Sequence, residues 1–230
     1  MNYFMNQFFF GLYPYIAFVT FVVGSLIRYD REQYSWHASS SLLLSPSRSF
    51  KMGSNLFHWG IILLLTGHFV GLLTPHAIYS AYISPATKQL LAMVAGGIFG
   101  SVCFVGITIL TYRRLFNVRV RATSRPSDII ILLLLFAQLI LGLMSISVSA
   151  QHPDGSEMLS LAEWVQHIVT FRPNAASYVM DASVIFKLHI VLGLTILLMF
   201  PFTRLVHIMS VPVAYFWRTG YQIVRSRSAR

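Results

Sequence analysis

Charge is the scarcest commodity in this 230-residue chain. Asp, Glu, Lys and Arg make up 10% of it, against about 25% in an average soluble domain. There is too little to coat a water-facing surface. Acid is rarest of all, with seven Asp and Glu beside seventeen Lys and Arg. A single cysteine, Cys103, excludes an internal disulfide and any Fe–S cluster held by this chain alone. The absence of CxxCH excludes covalently attached c-type haem. The opening MNYFMNQFFFG has no basic n-region, so it reads as the start of a membrane span and not as a cleavable signal peptide. Repeats, low-complexity tracts and a soluble domain are also missing.

What is abundant is apolar sequence, 56% of the chain. It falls into five stretches near 5–27, 54–75, 90–112, 128–149 and 183–209, each close to the roughly 20 residues that cross a bilayer. Fourteen of the seventeen basic residues fall in the 28–53 and 113–127 loops and the C-terminal end, on one side of that alternation. By the positive-inside rule the N-terminus lies outside and the C-terminus in the cytoplasm. This topology accounts for the net charge of +10 better than nucleic-acid binding does. The expectation is an all-α integral membrane protein, a single transmembrane domain over residues 1–230. It has five transmembrane helices and a cytoplasmic tail over 210–230.

Two of the spans carry ionisable groups where these are costly and mark function. The second, SNLFHWGIILLLTGHFVGLLT, holds His58 and His68; the fifth, KLHIVLGLTILLMFPFTRLVH, holds His189 and His207. His37, His76, His152 and His167 fall in connections and need no special role. Spans two and five run antiparallel, so the natural pairs are His58 with His207 and His68 with His189. Two imidazoles binding one metal from opposite sides place their nitrogens about 4 Å apart. Residues ten apart on a helix are separated by about 15 Å and residues eighteen apart by about 27 Å. A kink at Pro201 and helix tilt must absorb that mismatch. Paired imidazoles between membrane helices suit non-covalent b-type haem. Gly60, Gly67, Gly71 and Gly193 would leave room for a macrocycle or, alternatively, serve helix contact. With both axial positions filled, electron transfer is the role that remains. Zinc fits poorly, because no carboxylate or thiol lies near these histidines.

Other features carry less. Glycines in the third span indicate close helix contact. Gln138 reads as an interhelical hydrogen bond, and Cys103 as packing. In the 150–182 connection, Asp154 and Glu157 suggest a capping box. The run MLSLAEWVQHIVTF suggests an amphipathic helix that lies on the outer surface or else caps a ligand pocket. On its residues alone Lys88 reads as a lysine snorkelling from a helix end.

The stretches PYIA…GSLIRYD, SNLFHWGI…GHFVGLLTPH, RVRAT, SAQHPDGSEM and KLHIVLGLTILLMFPFTRLVHIMSVPV closely resemble the cytochrome b (gamma) subunit of membrane-bound respiratory nitrate reductase. The likeness runs from the first span through the last. It implies two haem b groups, the distal held by His68 and His189 and the proximal by His58 and His207. It implies a quinol site at Lys88 and Gly67 near the outer haem. It further implies that electrons from quinol cross to an Fe–S beta subunit, which feeds a molybdenum-containing alpha subunit where nitrate is reduced. By resemblance the chain is the quinol-oxidising, membrane-anchoring subunit of an enzyme complex in the bacterial cytoplasmic (inner) membrane. Another quinone-linked dihaem anchor, as in sulfur metabolism, and a haem-free transporter with proton-relay histidines are the alternatives.

Overall fold

Within a bilayer every backbone N–H and C=O must find a partner inside the protein, and a helix provides this locally. The computed structural model, which describes residues 2–36 and 47–210, answers that demand with helices throughout the apolar stretches. Five are long and apolar enough to cross a membrane. They are α1 (Tyr3–Arg31), α2 (Arg48–Leu73), α3 (Pro85–Phe116), α4 (Pro126–Ser149) and the segment Val184–Phe202. The last is regular only as α6 (Val184–Met199). Between α4 and α6 lies α5 (Ser156–Val169). His37 and the basic tail beyond 210 are outside the described residues.

Helix starts follow local chemistry. Ser47 accepts a hydrogen bond from Phe50 N at 3.1 Å, and Ser84 one from Thr87 N at 3.2 Å. Each thereby satisfies an orphan donor of the first turn. Pro85 and Pro126 open α3 and α4, where a missing N–H costs nothing. In α1 a π-type turn at Phe8–Leu12 ends two residues before Pro14. The connection before α5 has no capping box. Gly155, at φ 83°, occupies the N-cap without a side-chain bond. Asp154 instead accepts from the Ser156 hydroxyl at 2.9 Å, which is the leading reason its carboxyl sits below the usual range, and Glu157 lies 3.7 Å from His152.

The spanning helices pack in the order α1–α6–α4–α3–α2, with α5 laid against α2 and α3. Contact between α2 and α3 is tightest. A Cβ on Gly60 would come within 2.8 Å of the Cys103 backbone, and one on Gly106 would meet the backbone of Phe57 and Gly53. Backbones this close are how membrane helices associate without a hydrophobic drive. Gly60 is therefore a helix-contact residue and leaves no space for a ligand. Gly193 is also filled, since a Cβ there would lie 3.0 Å from the Gln138 amide.

The fifth span does not continue as one helix to 209. α6 ends at Met199, 3₁₀ turns follow at Phe200–Phe202 and Arg204–Met209, and Thr203 between them is extended (φ −120°, ψ 178°). Pro201 has no N–H with which to carry the α-helical ladder on. His189 and His207 thus do not share one helix face.

Candidate functional site

α2 and α6 are separated around the arc by α3 and α4, yet their histidines face each other across the space it encloses. The His68 and His189 ring centres are 6.2 Å apart, and those of His58 and His207 are 6.4 Å apart. A metal-bound imidazole nitrogen lies about 2 Å from the ion and about 1.1 Å from its own ring centre, so two rings holding one ion between them have centres about 6.2 Å apart. Both pairs meet that value. The mismatch of ten against eighteen residues is resolved by the break at 200–203. From His189 to Met199 α6 advances about 15 Å, matching His58 to His68, and the residues from Phe200 to His207 leave the α-helical path through 3₁₀ turns and an extended Thr203.

Ring protonation is set by the backbone. His58 Nδ1 lies 2.7 Å from the Ser54 carbonyl, and His68 Nδ1 lies 2.8 Å from the Leu64 carbonyl. His207 Nδ1 pairs with the Arg204 carbonyl. A carbonyl only accepts, so Nδ1 carries the proton and Nε2 keeps its lone pair, the tautomer a metal ligand needs. His189 is held differently. Its Nδ1 is buried without a protein partner. The Gln138 amide donates to its backbone carbonyl at 3.0 Å and lies 3.4 Å from its ring Nε2. Gln138 is thus the interhelical hydrogen-bonding residue expected from the sequence, and its partner is a site histidine. Among the described residues no three His, Cys, Asp or Glu side chains converge. A closed zinc site lacks ligands, while two facing imidazoles are the donor set of a six-coordinate haem.

A cavity of about 460 Å³ adjoins the His68/His189 pair, with Gly67, Gly71, Gly96 and Gly142 among its walls. A Cβ on Gly67 would meet nothing within 4 Å, so here glycine does leave space. α5 closes one side through Met158, Leu161, Trp164 and Val165. Trp164 Nε1 donates to the Phe10 carbonyl at 2.9 Å, and Gln166 donates to the Leu72 carbonyl at 3.0 Å. The amphipathic run is therefore a wall of the cavity, and the surface-lying reading gives way to it.

Lys88 is buried at the start of α3. Its ammonium lies 3.8 Å from the centre of the Tyr79 ring and 3.4 Å from the Thr74 carbonyl, so it does not snorkel freely. It is absent from the cavity lining, which its neighbour Gln89 joins. Burial, and then the Glu163 carboxylate, push the Tyr79 phenol up. Gln89 had no place in the sequence expectations. Its amide donates to the Ser149 and His152 carbonyls at 3.0 and 2.7 Å and accepts from Met158 N at 3.4 Å, tying α3, α4 and α5 together. A glutamine one position from a singled-out lysine at a membrane helix end was the available signal. His76 opens a short helix, His76–Tyr79, and His167 lies on α5; neither joins a pair.

Fold and site together define a multi-pass membrane protein, built of helices and their connections throughout the described residues, with two pairs of facing imidazoles, one of them beside a cavity. A family model described as "Nitrate reductase gamma subunit" matches residues 6–227. The chain is 51% identical to the respiratory nitrate reductase 1 gamma chain of Escherichia coli (strain K12), over 97% of this chain and 99% of that one. It is 52% identical to the respiratory nitrate reductase 2 gamma chain of the same strain, over 97% and 98%. Identity to the nitrate reductase gamma chain of Bacillus subtilis (strain 168) is 39%, over 97% and 99%. The chain belongs to the nitrate reductase gamma subunit family. Its place is that of a multi-pass membrane anchor in an oxidoreductase of nitrate respiration, associated with other subunits of the enzyme.

Proposed function

We propose that this chain is the quinol-oxidising, dihaem cytochrome b subunit of its complex. The observation that carries the reading is the pair of ring separations, 6.2 and 6.4 Å, each the spacing of two axial ligands on one ion. His68 and His189 hold the distal haem b, and His58 and His207 the proximal one, all bound non-covalently. Bound there, the two groups supply reversible one-electron couples through which electrons pass from quinol to the partner subunits.

The remaining work belongs to side chains and topology. The N-terminus lies outside and the C-terminus in the cytoplasm of a bacterial inner-membrane protein, in keeping with the basic loops. The whole of 1–230 forms one domain, with the tail over 210–230 in the cytoplasm. Quinol oxidation releases protons on the outer side, near the His68/His189 pair. Gly67 admits the quinol ring beside His68, and Lys88, outside the cavity wall but next to Gln89 within it, supplies a charged donor for a ring oxygen at the cavity's edge. On the cytoplasmic face the partner nearest this chain is the Fe–S beta subunit, which feeds the molybdenum-containing alpha subunit. Electrons moving inward while protons leave outward charge the membrane, about 2.3 kcal/mol per charge per 100 mV.

A reduced-minus-oxidised optical spectrum of the purified complex tests the reading. Two b-type components, reduced by quinol and reoxidised by nitrate, are expected. A spectrum without b-type bands would reject it in favour of a haem-free role.

A further inference from the structure

The break after α6 is held from two sides by residues to which the reading above gives no task. α1 carries GSLIRYD over 24–30. A Cβ on Gly24 would come within 2.8 Å of Pro201 Cγ, so glycine is what lets the proline ring rest on α1. One turn further on the same face, Arg28 Nη1 donates to the carbonyls of Pro201 at 2.6 Å and Thr203 at 2.8 Å. Its Nε donates to Ser35 Oγ at 3.0 Å, which steadies the guanidinium. Carbonyls at a helix C-terminus have lost their intrahelical donors, and leaving them unmet in a low-dielectric setting is costly. Nη1 meets both carbonyls at once while Nε and Nη2 hold the Ser35 hydroxyl and carbonyl. Four bonds spread over three nitrogens of a fixed plane are more than the three donors of an ammonium can make.

On the other side, Asp128 in the first turn of α4 lies 3.6 Å from Arg204 Nε and 3.6 Å from Arg114 Nη1. Arg204 opens the final 3₁₀ turn, and its carbonyl is the partner of His207 Nδ1. The path from Arg28 to the His207 ring is therefore short: two carbonyls, Thr203, Arg204, and the turn carrying the histidine.

We propose that Arg28, with the space made by Gly24, is a positioning residue for His207, fixing the break at 200–203 and so the ring's place opposite His58. The proposal rests on reading His58 and His207 as the axial pair of one haem. His189 sits inside regular α6 and makes no use of Arg28, so the effect is confined to one of the two centres.

Redox titration of the b-type optical and EPR signals of the intact complex in membranes tests this. Loss of one component in His189→Ala and of the other in His207→Ala assigns them. Arg28→Lys keeps the charge but not the fork; it is expected to shift the midpoint of the His207 component, with both haems at full occupancy and the His189 component unmoved. Arg28→Ala is expected to lose the His207 component, and Gly24→Val, which displaces Pro201, to weaken it. If Arg28→Ala prevents accumulation of the complex, Arg28→Lys and Gly24→Val decide by the same readout. Equal effects on both components, a change in the His189 component alone, or no change overturns the proposal. A native complex without b-type signals rejects the haem reading instead.

Discussion

The His68/His189 and His58/His207 pairs reach nearly the same ring separation by different constructions. His68 and His189 both stand on unbroken α-helices, and their rings are inclined by 32°. In the other pair His58 stands on the same α2, but His207 stands on a 3₁₀ turn beyond a proline break, and the rings are inclined by 70°. The first geometry is set by helix packing, to which Gln138 adds a bond across α4 and α6. The second is set by a short break in the α-helix that needs Arg28, Asp128 and Gly24 around it. Equal spacing at two sites thus does not imply equal robustness. A helix places a ligand through many shared hydrogen bonds, whereas the 200–203 break places one through a few named contacts.

The sharpest way to break the comparison is to remove ligands. His68→Ala and His189→Ala are each expected to abolish the same b-type signal completely, and His58→Ala and His207→Ala the other, read by EPR of the intact complex. A common loss for His68→Ala and His207→Ala would invert the pairing. Next in size is Gly106→Leu, which forces a side chain into the α2 backbone. Overpacking of this kind costs about 1–3 kcal/mol or more. It should lower the melting temperature of the complex in detergent and reduce both haem contents together, separating a fault in the bundle from a fault in one site.

A smaller effect, limited to one end, is expected from Lys88→Ala. Losing a charged hydrogen bond of about 1.5 kcal/mol raises the apparent KM for quinol about tenfold with both haem spectra intact. Unchanged quinol kinetics would remove Lys88 from the site. The smallest change is expected from Gln138→Leu. A membrane interhelical hydrogen bond averages about 0.6 kcal/mol, so stability should fall only slightly. The midpoint of the His68/His189 component should move while that of its counterpart holds. Equal movement of both would mean that Gln138 acts on the bundle as a whole.

Much of this was legible in the residues themselves. Five apolar runs identify five spans, because bilayer thickness sets their length, and the four intramembrane histidines stand out because such groups are costly there. Their pairing follows from chain alternation. The rest depends on tertiary contacts that composition does not encode. Gly60 and Gly67 are the same residue type on one helix, yet the first abuts Cys103 and the second opens onto the cavity. Pro201 announces a kink, but not that regular helix ends at Met199 or that Thr203 turns extended. Arg28 reads as a topology marker at a helix end, and only the fold brings it to the Pro201 and Thr203 carbonyls. The helix over 156–169 is evident from its periodicity. Its role as a wall comes from Trp164 reaching the Phe10 carbonyl and Gln166 reaching the end of α2.

That wall also decides how the cavity is supplied. α5 is fixed along one side of the cavity by Trp164 and Gln166, and the rest of the wall is mostly apolar side chains and glycines of the spans. A molecule suited to it is one that already prefers the bilayer to water. An incoming molecule is then met on a sheet and not in a volume. Its supply is counted in molecules per unit area of membrane, and a compound reaches this site in proportion to how strongly it partitions out of water.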